Sequence, residues 1–197
     1  MRLLSLALAL AAAIPTATTL SAQTAAEPRR MSVAIESDVL SYGLKGYSGI
    51  ATVSFASGLQ LAFGAGRYDV PTFLLEGDAN YDTARWQATA TSLQVFRAVY
   101  RFNGPMENGF ALGAIVLNQN WRLSGENLAG QTKFQPLSVG LTAGYYIHLG
   151  KHLYLYPTTA FTYNTVASGS ASLQGQAYRV AKWAPNGSLH MGWEWTR

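Results

Sequence analysis

From about residue 32 onward, apolar positions recur at every second residue, in runs long enough to cross an outer-membrane bilayer at the usual strand tilt. The clearest run sets Leu137, Val139, Leu141, Ala143, Tyr145, Ile147 and Leu149 against Ser138, Gly140, Thr142, Gly144, Tyr146 and His148. Leu59, Leu61, Phe63 and Ala65 alternate in the same way with Gln60, Ala62, Gly64 and Gly66, as do Leu189, Met191, Trp193 and Trp195 with Ser188, His190, Gly192 and Glu194. A period of two describes strands with one apolar face and one small or polar face. The connections between them alternate in length: longer ones near 43–48, 70–85, 123–134 and 166–183, and short ones at Ser57-Gly58, Asn103 to Gly109 and Gly150-Lys151. Seven connections join eight strands. The predicted fold is all-β, an eight-stranded antiparallel up-and-down transmembrane β-barrel. Barrels of this kind keep tight turns on the periplasmic side, which would place both termini in the periplasm.

The first residues break this pattern. Met1-Arg2 is a short positive start, and Leu3 to Ile14 is an apolar run of signal-peptide length, too short to span a bilayer as a helix. The expected organisation is a cleavable signal peptide over 1–22, a flexible polar segment over 23–31 and a barrel domain over 32–197. Cleavage after Ala26 is the alternative to cleavage after Ala22.

Composition narrows the class. Only 12% of residues are charged while 49% are apolar, yet beyond the leader no apolar run approaches a transmembrane helix, so the apolar residues must be dispersed by alternation. The formal charge of +4 is too small and too scattered for nucleic-acid binding. Cysteine is absent, which removes disulfides and thiolate sites; stability is left to a closed hydrogen-bond ladder.

A soluble lipocalin-like barrel shares the strand count but would turn the apolar face inward. Glycines crowding the polar face fit a narrow lumen instead. Two aromatic girdles are expected as well, with Tyr68, Trp86, Trp121, Tyr163 and Trp183 toward the loop ends and Tyr100, Phe102, Phe110, Trp193 and Trp195 toward the turn ends. Pro157 falls inside the seventh strand, where a closed ladder leaves no free edge, so a bulge is expected there.

Leu-Ser-Tyr-Gly-Leu-Lys-Gly-Tyr-Ser-Gly at 40–49, Val-Pro-Thr-Phe at 70–73, Leu-Tyr-Leu-Tyr-Pro at 153–157 and Gly-Ser-Leu-His-Met-Gly-Trp-Glu-Trp at 187–195 resemble segments of poorly characterised bacterial outer-membrane β-barrel proteins. More broadly the chain is similar to the small OmpA-, OmpX- and OmpW-like barrels. The resemblance implies the cell outer membrane as location, with outer-membrane lipid, lipopolysaccharide and the assembly machinery as partners. In that group the last strand ends in an aromatic residue read by the machinery; here Trp195 is followed by Thr196 and Arg197.

The chemistry-bearing residues lie on the polar parity. Glu36, Asp38, Arg97, Arg101, His148, His190 and Glu194 are expected to form a lumen polar network, the acids and bases serving as partners for one another because a buried charge without a partner is strongly disfavoured. No catalytic set emerges. The His-x-Ser order of a PagL-like lipid A deacylase is missing, and Ser188, His190 and Glu194 are spaced about 7 Å per step of two residues, too far for a relay. His148 and His152 flank a tight turn and could both approach Glu194, but three histidines without a tight motif do not make a metal site, and no cofactor is expected. An eight-stranded barrel has room only for its own side chains, which argues against a porin. Val70, Pro71, Phe73, Leu74 and Leu75, beside Glu76, Asp78 and Asp82, form a candidate loop interaction patch for lipopolysaccharide, a partner surface or a small apolar ligand. The expected function is non-enzymatic, an envelope or surface-interaction role. The alternatives are a lipid-modifying barrel enzyme, an OmpW-like carrier of small apolar molecules and a soluble lipid-binding barrel.

Overall fold

The computed structural model describes residues 31–196 except 77 and 79, so the expected leader and most of the segment before the barrel lie outside the described residues. The eight long strands are β1 (Ser32–Asp38), β2 (Tyr47–Ser54), β3 (Leu59–Asp69), β4 (Trp86–Arg101), β5 (Gly109–Gly125), β6 (Leu128–His148), β7 (Leu153–Gly169) and β10 (Trp183–Thr196). They pair in the closed order β1-β10-β7-β6-β5-β4-β3-β2. The two-residue strands β8 (Ser172–Leu173) and β9 (Gln176–Ala177) form a small hairpin in the last loop. Closure comes from Val33, which faces Val53 on one side and Trp195 on the other. Every barrel pairing is antiparallel, so the connections alternate between the two ends and no strand edge is left open.

The parity of the strands decides what the barrel dissolves in. Leu141, Phe63, Ile35 and Phe161 are exposed, while their neighbours Thr142, Ala62, Glu36 and Thr162 are buried. Polar side chains fill the interior and apolar ones cover the wall, the reverse of a soluble lipid-binding barrel and the arrangement of a transmembrane barrel. At the turn end Tyr100, Phe102, Phe110, Trp193 and Trp195 all stand on the outer surface. The short turns need few residues; at Ser57-Gly58 the glycine takes φ +93°, a left-handed conformation that side-chain-bearing residues avoid.

Four expectations need correction. The segment 123–134 is no loop: β5 and β6 continue to a two-residue turn at Glu126-Asn127, because Leu123 and Phe134 keep the inward parity and bury, with Trp121 packed half-buried against them. Similarly, β7 runs on to Gly169, into the segment expected as loop 166–183. Pro157 sits at no bulge; the β6–β7 ladder lapses between Gly144↔Thr158 and Ile147↔Leu155 and resumes in unchanged register, and the β10 pairing passes straight through Leu189↔Pro157. The β6–β7 register shift falls at Gln135/Pro136 instead. Finally, the loop-end girdle is only partial. Tyr163 and Trp183 face outward, but Trp86 is 1% exposed, and Tyr68 and Trp121 turn inward. A bulge between Ala90 and Ser92 flips the parity of β4, so that Trp86, Ala88 and Ala90 are buried above it and Val95, Arg97 and Val99 below.

Candidate functional site

The lower lumen is built where the inward residues of non-adjacent strands meet. Glu36 on β1 accepts from Arg97 on β4, whose Nη2 lies 2.9 Å from both carboxylate oxygens, and from the Tyr154 hydroxyl on β7 at 2.8 Å. His190 on β10 places Nδ1 3.8 Å from the same carboxylate. One level nearer the turns, Glu194 accepts from Arg101 Nη1 at 2.8 Å and from Ser32 Oγ, and meets His148 Nε2 at 3.1 Å. The acid and base side chains of both pairs are 2% exposed or less. Each pair is thus withdrawn from water and compensated inside the barrel.

Aromatic rings fill the remaining space. Tyr146 and Tyr156 stack with centroids 3.9 Å apart, Arg101 lies 3.9 Å over Tyr146 and Arg97 lies 4.8 Å over Tyr156. The order Arg101, Tyr146, Tyr156, Arg97 makes a four-membered cation-π column across the lumen. Tyr146 also donates to Gln60, which in turn donates to Ser54 at 3.0 Å. Glycine makes the room: a Cβ on Gly192 would come within 2.3 Å of Tyr154 Cζ, and one on Gly144 within 2.5 Å of Tyr156 Cε2.

Asp38 stands apart from this network, although the sequence groups it there. The strand ends at Asp38, and its carboxylate caps the short helix α1 (Val39–Gly43) by accepting from Leu40 N at 3.1 Å, with Leu189 N at 3.3 Å. The two histidines flanking the β6–β7 turn do not converge on one carboxylate either. His148 reaches the Glu194 side chain, whereas His152 Nδ1 reaches the Glu194 backbone oxygen at 2.8 Å and its ring stacks on Trp193 outside.

The loop end is closed by a different material. Val70, Leu75, Ala84, Trp86, Ala88, Leu123 and Phe134 form a buried apolar cluster. Tyr178, from the last loop, packs on Trp86, Trp121 and Phe134 at centroid distances of 6.2, 6.4 and 6.2 Å. Burial, and then the charge of Asp78, push the Tyr178 hydroxyl up to about 12. Asp78 clasps the two loops: it accepts from Asn80 N at 2.9 Å, Trp86 Nε1 at 3.2 Å and Arg179 N at 2.6 Å. Asn80 adds a bond to the Ala177 carbonyl at 2.6 Å. The expected loop patch is therefore split. Val70 and Leu75 belong to the buried cap, Pro71 is half-buried, and Phe73 and Leu74, on the short helix α2 (Thr72–Leu75), stay exposed.

Sequence reasoning missed Ser32, Tyr146, Tyr154 and Tyr156 as lumen partners and Asp78 and Tyr178 as the clasp. The inward parity marks the tyrosines in advance, since each falls on the polar face of its strand. For the Asp78–Arg179 contact, 101 residues apart, the sequence carries no signal.

The lumen contains a serine, a carboxylate and an imidazole in contact, but in an order that disarms them. Glu194 lies between Ser32 and His148, so the hydroxyl donates to a carboxylate and no imidazole is placed to take its proton. Ser188, expected near His190, pairs with Thr158 in the ladder.

No family model matches the chain, and no curated protein matches it. Among solved structures it is similar to Neisserial surface protein A (NspA), at 13% identity over 85% of this chain and 97% of that one, with a TM-score of 0.45. It is also similar to the N-terminal β-barrel domain of Pseudomonas aeruginosa OprF, at 13% identity over 86% and 98% of the two chains, with a TM-score of 0.49. The architecture itself stands on the closed ladder and its parity.

Proposed function

We propose that this chain is a non-enzymatic integral protein of the outer membrane, with both termini in the periplasm, a sealed interior, and an envelope or surface-interaction role exercised through its wall and loops. The observation that carries this reading is the inverted barrel, in which Leu141 is 68% exposed on the wall while Glu36 and Glu194 are buried inside. Apolar exterior of this extent is stable only in lipid. The two ion pairs and the tyrosine column argue against a conducting pore, and the Ser32–Glu194–His148 order argues against acyl transfer. The cap argues against an OmpW-like carrier, because its own aromatic residues occupy the mouth a small apolar ligand would need. Phe73 and Leu74 remain available at the rim for lipopolysaccharide or a partner surface.

Refolding into lipid vesicles tests the reading. Leu141→Arg is expected to cost about 2–4 kcal/mol if the residue sits near the bilayer midplane. A harmless Leu141→Arg would contradict the assigned lipid face. Mass spectrometry of lipid A after incubation with the protein is expected to show every acyl chain retained; loss of a chain that depends on Ser32, Ser188 or His190 would overturn the non-enzymatic part.

A further inference from the structure

Toward the loop end, the outer wall of β4 to β7 changes chemistry in steps. Its apolar stretch includes Phe96 and Val139, both about half exposed, and ends near Leu137. A hydrogen-bonded polar row begins at Asn118, directly opposite Leu137, and steps on to Gln135 and Ser168: Asn118 Nδ2 donates to Gln94 Oε1 at 3.1 Å, Gln135 Nε2 to Asn118 Oδ1 at 2.7 Å, and Ser168 Oγ to Gln135 Oε1 at 2.8 Å. Asn120 extends it by donating to Ser92 Oγ at 3.1 Å. Two residues further along their strands, Arg122 and Lys133 stand directly opposite each other, both exposed.

Like charges at a directly paired cross-strand position repel. Among the described residues neither cation forms a salt bridge, since the bridges all lie in the lumen. The nearby acids are engaged with neutral partners. Asp69, in the same row beyond Thr89, accepts from the Thr89 hydroxyl at 2.9 Å, and Glu126 at the hairpin tip accepts from Gln87 at 2.9 Å. An anion seated between Arg122 and Lys133 would turn a repulsive pair into two charge-assisted hydrogen bonds.

We propose that this face docks a phosphorylated glycolipid of the outer leaflet. Its acyl chains lie against the apolar wall, its sugar amides and hydroxyls against the Gln94–Asn118–Gln135–Ser168 row, and a phosphate between Arg122 and Lys133. What selects this occupant is the sequence of levels: apolar, amide and cationic chemistry follow one another along the wall in the order in which such a lipid presents acyl, sugar and phosphate. Each step of two residues advances about 7 Å along a strand, so the levels lie within one headgroup's reach. The inference rests on the outer-membrane reading given above.

The test compares the full chain with the Arg122→Gln/Lys133→Gln double variant. Both are refolded into phosphatidylcholine vesicles doped with bisphosphorylated lipid A, and the lipid A retained on the detergent-extracted barrel is measured by mass spectrometry. Loss of both charges is expected to lower retention roughly tenfold or more, and the single variant Lys133→Gln by a smaller factor. Dephosphorylated lipid A is expected to be retained equally weakly by all three proteins, and excess inorganic phosphate to displace little of the intact lipid. Equal retention of lipid A by wild type and double variant would overturn the proposal, as would a preference that survives dephosphorylation. Displacement by inorganic phosphate alone would assign the site to a free anion and overturn it too. Because the substitutions relieve a repulsion, the variants are expected to unfold no more easily than wild type; if the double variant fails to fold, the Lys133→Gln comparison decides. Vesicle insertion is read separately by protease protection, and its failure would count against the outer-membrane reading.

Discussion

At the loop end the lumen is stoppered by Trp86, Leu75, Leu123 and Phe134 beneath Tyr178, whereas at the turn end the same ring of strands encloses Glu36, Arg97, Arg101, Glu194 and three tyrosines. The apolar stopper joins Leu75, Ala84 and Tyr178 of the loops to Trp86, Leu123 and Phe134 at the strand ends, and its loop part is clasped by Asp78 and Asn80. The ionic plug hangs on the barrel strands themselves, with Glu36 alone engaging β4 and β7 from β1. Burying charge is costly in general, but here it ties together strands that share no ladder. The loop part of the cap, held by a few bonds, can open locally, while the plug can fail only with the barrel.

The largest expected effect is therefore at the plug. Glu36→Ala leaves the Arg97 guanidinium uncompensated and is expected to cost about 3–5 kcal/mol in urea unfolding from vesicles. The paired replacement Glu36→Leu/Arg97→Met is expected to recover most of that loss, since a packed apolar pair dispenses with the desolvation of two ions. A double variant as unstable as the single one would show that packing, not charge compensation, governs this end. Trp86→Ala is expected to cost about 3 kcal/mol within the cap, seen as fast proteolysis over 70–85 while the barrel's unfolding midpoint moves little. A large fall in that midpoint would erase the distinction between the ends. Asp78→Ala strands the Trp86 indole N–H and is expected to cost about 1–3 kcal/mol, again read as loop proteolysis.

The smallest effect is a pH dependence. Tyr178 holds its proton more tightly in the closed cap, at about 12, than in an open loop, where an ordinary tyrosine titrates near 10. Its contribution to closure is complete below pH 10 and is lost as the pH rises toward 12. Protease susceptibility of the last loop should rise across that window, and Tyr178→Phe should remove the rise.

Within each strand the sequence was legible because burial follows a period of two: Leu141 and Thr142 part to opposite faces, and Glu36, Arg97, Arg101 and Glu194 all fall on the inner one. Which acid meets which base was not. Partner choice depends on the stagger of the closed ring, and it places Glu36 against Arg97 and Glu194 against Arg101. Asp38 shares the parity of Glu36, but its strand stops there and the side chain is drawn into a helix cap. At the loop end a single extra residue near Thr91 reverses the faces of β4, so any reading that keeps one parity throughout sends Trp86 to the lipid. The loop clasp was beyond reach for another reason: Asp78 and Arg179 meet only because the ring brings two loops together at its mouth.

The central claim is that the barrel is apolar outside and closed inside, and ion conductance of the purified monomer in planar bilayers tests it most directly. Wild type is expected to carry no steady current, and Trp86→Ala is expected to stay silent as well, because removing part of the stopper leaves the Glu36–Arg97 and Glu194–Arg101 plug intact. A steady ohmic current through the wild-type monomer would contradict the account.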